Sequence, residues 1–192
     1  MDKKKLLILA ALVLFLVVLI IVYFNPGGTA KPSSTQFIPS SADESESEEQ
    51  KEPAIIVLFF PSEHDGLLHR EEREIIPESS LAQQAKRIIL ELLSGSRLGF
   101  LSPIPPETRL RELYITKDGV AYVDFSRELM DKHLSGSSAE MTTIFSIVNS
   151  LSYNIKPIKN VFILIDGGEK KTLRGHIDLT NPFHPIYDIV AK

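Results

Sequence analysis

The residues able to do chemistry near neutral pH are His64, His69, His133, His176 and His184. No two of them have the i, i+4 helical spacing or the short spacing of a zinc motif. His176 and Asp178 would offer two ligands on one strand face. The plainer reading is a turn in which backbone groups satisfy both. Serines are plentiful, but none combines with a His and an Asp in a recognisable order, and no Gly-x-Ser-x-Gly elbow is present. Gly167 and Gly168 follow an apolar run but precede no helical pattern, so they read as a turn and not as a phosphate loop. Glu71 and Glu72 lie in a charged stretch and read as solvated charges that discourage edge pairing. Asp124, two residues before Ser126 at a strand end, reads as a turn-closing or capping group, with ligand binding as the rarer alternative. The chain has no cysteine, which removes disulfides, thiolate metal sites, a thiol nucleophile and a lipid-modified cysteine. The expectation is a protein that is not an enzyme and holds no metal or cofactor.

The elements that would position these groups alternate in type. Ala54 to Phe60 is a short apolar run ended by Pro61 and reads as a buried strand. Leu67 to Ile76 returns as a polar edge strand. Ser80-x-x-Gln83 is a capping-box pattern opening a helix with Leu81, Ala85, Ile88, Ile89, Leu92 and Leu93 on one stripe, closed by Gly95. Arg109 to Thr116 and Val120 to Phe125 alternate around Asp118-Gly119 and predict an antiparallel hairpin. Ser126 is placed to cap a short helix reaching Leu134. Ser137-x-x-Glu140 reads as a second capping box, before Met141, Ile144, Phe145, Val148 and Leu151 at helical spacing. Val161 to Ile165 is a continuous apolar strand, Leu173 begins a return strand, and Ile177 and Leu179 belong to a last extended piece. The expected order is β-β-α-β-β-α-α-β-β, an α+β layout with a mostly antiparallel sheet and helices on one face.

This domain, residues 53–192, is expected to follow two unlike segments. Residues 1–5 include Lys3, Lys4 and Lys5. Residues 6–24 carry no charge and no proline, and 19 helical residues span roughly 28 Å, the thickness of a bilayer core. The length of the run, and Tyr23 at its far end, favour a retained anchor over a cleaved signal peptide. The lysines place the N-terminus in the cytoplasm and the domain outside the membrane. Residues 25–52 are rich in Ser, Pro and Glu, with Lys31 and Lys51 against six acids, and predict a disordered acidic tether with a reach of roughly 30 Å. The net charge of −4 argues against a nucleic-acid partner, because phosphate contacts need clustered Lys and Arg.

The domain carries an ordered series of motifs. Val57-Leu58-Phe59-Phe60-Pro61 opens it, followed by Glu72-Arg73-Glu74-Ile75, Leu92-Leu93-Ser94-Gly95 and Ser102-Pro103-Ile104-Pro105 with Thr108. Then come Val120 through Ser126, Gly136-Ser137-x-x-Glu140 and Ile147-Val148-Asn149-Ser150-Leu151. Phe162 through Gly167 and Thr172 through Leu179 close it. In that order the set resembles the GerMN domain of sporulation and spore-germination proteins, over essentially all of residues 54–183. The resemblance implies a compact α+β module similar to the ring-building-motif class, found outside the cytoplasmic membrane in bacterial envelope complexes. Such modules are regarded as assembly or binding units with no established catalytic residue, so no active site is carried over. Two departures stand out. Many members are lipoproteins, whereas this chain has no cysteine, and GerM-like proteins can hold two such domains, whereas one is read here. Both put a sporulation role in doubt and leave a general envelope role equally open.

The candidate interaction residues are Arg73, Asp124, Glu140, Asn149, His176, Asp178, Phe183 and Tyr187. Arg73 is expected to pair with Asp178 or Glu140, and Asn149 to bond a neighbouring loop. Gly136 and Gly175 are expected to serve backbone geometry. Phe183 and Tyr187 belong to an apolar tail that either docks a partner or packs back on its own sheet. Three functions follow: a membrane-tethered docking module for an envelope protein, a peptidoglycan or glycan binder, or an accessory factor of a wall hydrolase. Sugar sites favour aromatic platforms, and a chain without Trp is poorly equipped for one.

Overall fold

The structure, a computed structural model, describes residues 52–192. Its elements run β1 (Ala54–Pro61), β2 (Leu68–Ile75), α1 (Leu81–Leu93), β3 (Leu110–Ile115), β4 (Val120–Phe125), α2 (Glu128–Asp131), α3 (Ser137–Asn154) and β5 (Asn160–Ile165). The expected anchor over 6–24, and the tether over 25–52 up to its last residue, lie outside the described residues. Among the described residues no helix is long and apolar enough to cross a membrane.

The strands form two sheets instead of the single expected one. β1 and β2 make an antiparallel pair, with Leu58 opposite Glu71 and Ile56 opposite Arg73. The second sheet has the order β3-β4-β5. Its β3–β4 hairpin is antiparallel, as the alternation predicts. Gly119 closes it with a positive φ of 84°, and a Cβ there would collide with the Pro157 carbonyl. β5 instead runs parallel to β4, with Val123 opposite Ile163. The crossover through α2 and α3 is long enough to return the chain to the same end of the sheet, which a parallel neighbour requires.

The core explains the apolar runs. Ile56 to Phe60 is buried on both faces, so β1 has no polar alternation to show. α1 buries Ala85, Ile88, Ile89 and Leu92 from the predicted stripe, while its first residue, Leu81, stays exposed. The hydroxyl of Ser80 accepts from the Gln83 N–H at 3.2 Å, but the Gln83 side chain turns to Ser79, so only half of the capping box forms. α3 is buried continuously from Thr143 to Ser152. Serine, threonine and asparagine on its second flank hide that burial from a hydropathy count.

Three further expectations are corrected. The second capping box does not exist: Gly136 is the N-cap, and the Glu140 side chain leaves the helix to hold another loop. Ser126 does not cap α2; its hydroxyl accepts from the Arg109 N–H at 2.9 Å. Nor do residues 172–179 form strands. Asp166, with a φ of 56°, and Gly167 reverse the chain, and one bridge between Ile165 and Gly168 ends the pairing. The outer edge of β5 is instead met by the tail, where Val161 and Phe183 exchange two backbone bonds of 2.9 and 2.8 Å. Leu173 and Leu179 bury their side chains, and a single bridge joins Thr172 to Asp178.

Candidate functional site

Alternation along β2 turns Glu71 and Arg73 to the same side, beneath Leu58 and Ile56. Both are sealed from solvent, so Glu71 is not the solvated charge expected from its sequence neighbours. Arg73 does not reach Asp178 or Glu140. Its Nε and Nη2 donate to Glu71 Oε1 at 2.9 and 2.5 Å. Nη1 donates to the Glu91 carbonyl at 2.6 Å, to Ser94 Oγ at 2.8 Å and to Glu91 Oε2 at 3.2 Å, and Nη2 also donates to the Gly95 carbonyl. The second oxygen of Glu71 accepts from Ser96 Oγ at 2.6 Å and from the Arg97 N–H at 3.1 Å. Burial raises the Glu71 carboxyl pKa, but the Ser96 hydroxyl, the Arg73 guanidinium and the Arg97 amide outweigh it and hold it below the usual carboxylate value. The cluster therefore satisfies the Glu91 carbonyl in the last turn of α1 and the Gly95 carbonyl just beyond it, and it fixes the loop behind.

Glu140, fully buried near the start of α3, accepts from the Ile177 N–H at 3.0 Å and from His176 Nδ1 at 2.7 Å. Burial again raises its pKa, and again the N–H of Ile177, the His176 ring and neighbouring backbone donors bring it below the usual value. Asp178 is not part of this pairing. Its carboxylate accepts from Thr180 N and Oγ1 at 2.9 and 2.7 Å, a local turn. His176 and Asp178 thus have separate duties.

Asn149 does bond a neighbouring segment: its amide donates to the Ile186 carbonyl at 2.7 Å and accepts from the Ile186 N–H at 3.0 Å. This mimics a strand partner and draws the tail onto α3. Phe183 then meets Phe145 edge-on, and Tyr187 meets Phe59 and Tyr153. The tail packs back on its own domain, though Tyr187 keeps 41% of its surface exposed. Asp124 closes the turn after β5. It accepts from the Gly167 N–H and from Arg111 Nε, each at 2.9 Å, while Arg111 reaches on to Asp166.

Neither Asn154 nor Glu91 stands out in the sequence, and His133 does so only as one histidine among five. Asn154 seals the free edge of β1 by accepting from the Val57 N–H at 2.9 Å and donating to the Val57 carbonyl at 2.7 Å. His133 is buried, which pushes its imidazole pKa below 6.5, and its Nε2 lies 2.7 Å from Thr143 Oγ1. Both act across more than a turn of structure, where spacing along the chain carries no signal.

Two surface features remain. A groove of about 700 Å³ lies between the β1–β2 turn, the loop over 101–107 and the start of α3, floored by Pro103, Ile104 and Pro105. On the second sheet, Tyr114, Tyr122 and Phe162 form a row, with ring centroids 4.7 and 5.3 Å apart and planes inclined by 6° and 27°. Stacked this way the rings consume one another's faces, and only the outer face of Tyr114 is free. Among the described residues no group of three or more His, Asp or Glu could hold a metal ion.

Comparison with known proteins places these features in a family context. A family model described as "Germane: Sporulation and spore germination" matches residues 57–171. A crystal structure of a candidate lipoprotein from Clostridium perfringens superposes with a TM-score of 0.50 at 24% identity, covering 69% of this chain and 87% of that one. The tandem GerMN domains of the sporulation protein GerM from Bacillus subtilis superpose with a TM-score of 0.52 at 19% identity, covering 69% of this chain and 46% of the pair. The chain thus spans about half the length of that tandem pair. The similarity to both structures is one of fold. No curated protein sequence matches.

Proposed function

Because the chain belongs to the Germane family of sporulation and spore germination, we propose that it is a membrane-tethered, non-enzymatic docking module of a bacterial envelope assembly. One observation carries this reading. The buried polar groups within the family motifs, Arg73, Asp124, Glu140 and Asn149, are spent on intrachain bonds that fix loops and the tail. Chemistry of this kind builds a rigid surface, not a reactive cleft. The anchor over 6–24 and the tether over 25–52 would present that surface outside the cytoplasmic membrane. Lipoprotein and sporulation relatives of the same fold are consistent with such a location.

A second reading, a peptidoglycan or glycan binder, rests on the aromatic row ending at Tyr114. A row that offers one ring face is a poor platform for a sugar chain, and this reading ranks second. Crosslinking of the full-length protein in its native membrane tests both. Reproducible capture of one envelope protein supports docking. Capture of wall fragments without a protein overturns it in favour of the glycan binder.

A further inference from the structure

We propose that the open edge of β2, from Arg70 to Glu74, receives an extended segment of a partner protein as an added strand, and that this segment carries Lys or Arg at two positions two residues apart. The proposal rests on the docking reading and names the face and the partner chemistry that reading leaves open.

Backbone direction along β2 is fixed at one point by the tail. The Leu68 N–H donates to the Ile189 carbonyl, and the Leu68 carbonyl accepts from the Ala191 N–H, both at 2.9 Å. Leu68 therefore turns both polar backbone groups away from β1. Strand alternation gives Arg70, Glu72 and Glu74 the same direction. An independent check comes from β1. Phe59 and Val57 stand opposite Arg70 and Glu72, and their N–H groups also point away, to Ser150 Oγ at 3.1 Å and Asn154 Oδ1 at 2.9 Å. These opposed pairs exchange no bonds across the ladder.

The two edges of this sheet are thus treated differently. The β1 edge is closed by Ser150, Asn154 and the Leu101 N–H, which donates to the Pro61 carbonyl at 2.9 Å. Among the described residues the β2 edge is met by the tail, at Leu68 alone. From Arg70 to Glu74, three N–H and three C=O groups point outward without a partner among the described residues. Five residues span about 17 Å, enough for a short added strand.

Charge selects the occupant. Glu72 and Glu74 are exposed side chains on this edge. The Arg70 guanidinium lies over the Tyr153 ring, 5.6 Å from its centroid, turned toward α3. The edge is locally acidic, so a strand placing basic side chains beside both glutamates is favoured and an acidic one is repelled.

The test uses the full-length chain in detergent micelles, with residue-resolved amide exchange as the readout. The probe is the capped peptide Thr-Val-Lys-Val-Lys-Val-Thr, and its control has Glu in place of Lys. The Lys peptide is expected to slow exchange at Arg70, Glu72 and Glu74 by about tenfold, while His69, Glu71 and Arg73, already paired with β1, do not change. Glu72→Pro removes one outward donor without touching the β1 ladder and is expected to abolish the protection. If that variant disturbs the core amides, Glu72→Lys with Glu74→Lys serves instead, and it is expected to reverse the preference toward the Glu peptide. Protection outside the alternating set, or a preference unchanged by charge reversal, overturns the proposal. So does protection of the same amides without peptide that rises with protein concentration, which would make a second copy the occupant. Native-membrane crosslinking separates the two levels. Capture of one envelope protein at wild-type yield by the doubly reversed variant sinks the edge and leaves docking intact. Failure of the wild type to capture any protein sinks the docking reading itself.

Discussion

Glu71 and Glu140 are both sealed from solvent, at 1% and 0% exposure, yet the fold neutralises them by different means. Glu71 faces a guanidinium as buried as itself, two residues along the same strand. Among the described residues Glu140 has no buried cation in contact. Backbone N–H groups and a partly exposed imidazole from a loop 36 residues away serve instead. The first arrangement shares one arginine among Glu71, Glu91 and the carbonyls ending α1. The second uses a lone carboxylate as a peg on which residues 174–177 hang. An ion pair makes each partner costly to lose, whereas a peg concentrates the cost on the acid alone.

Breaking the arginine side is expected to have the largest effect. Arg73→Met leaves Glu71 buried without a guanidinium, while Glu91 keeps Arg87 and Arg97, and it removes one donor to the Glu91 carbonyl and the donor to the Gly95 carbonyl. A loss of about 3–5 kcal/mol is expected, read from the urea unfolding midpoint. A loss below about 1 kcal/mol would mean that water reaches the carboxylates, and the contrast with Glu140 would collapse.

The peg comes next. Glu140→Gln keeps the shape but sets an amide NH2 against N–H donors, and a loss of about 1–3 kcal/mol is expected. Amide exchange should quicken from Leu173 to Leu179 and not at the end of α1. Equal quickening in both places would show that the two clusters are one cooperative unit.

Acid sharpens the comparison further. The folded pKa values of Glu71 and Glu140 lie below the unfolded value of 4.5. Their contributions are therefore complete above about pH 4.5 and are lost as pH falls through the folded values. His133, with its imidazole held below 6.5 by burial, contributes fully above that pH and loses its contribution below it. The expected stability curve declines gently below about pH 6.5 and steeply below about pH 4.5. Glu140→Gln should flatten the steep limb, and His133→Gln only the gentle one. An unchanged steep limb in the Glu140 variant would place the acid sensitivity elsewhere.

The contrast also shows what a sequence can disclose. The hairpin at Asp118-Gly119, the stripe of α1 and the apolar β1 run were legible because each is a local rule acting on adjacent residues. The separation into two sheets was not, because β5 joins β4 in parallel through a crossover whose direction no local pattern records. Charged residues misled for a related reason. Arg70 to Glu74 looks uniformly solvated until alternation is applied, and then Glu71 and Arg73 belong to the inner face. Glu140 read as a cap because Ser137 precedes it at the right spacing, but a loop distant in sequence outbid the helix for its oxygens. Asn149 was legible as a loop-binding residue, but not that its loop would be the tail.

The smallest expected effect comes from the exposed partner of the peg. The His176 ring is 44% exposed, so water can replace part of what it gives to Glu140. His176→Ala removes the Nδ1 bond but leaves the backbone N–H groups of residues 176 and 177 in place. A loss of about 1 kcal/mol or less is expected at neutral pH. The electrostatic consequence is sharper than the energetic one. With one donor gone, the Glu140 carboxyl should titrate closer to 4.5, which a carbon-detected NMR titration of that carboxyl resolves. A carboxyl that titrates as in the wild type would mean that the backbone donors alone set its charge. His176 would then be a bystander at the surface, and Glu140 would be held entirely by the chain's own amides, the furthest possible contrast with the arginine-bound Glu71.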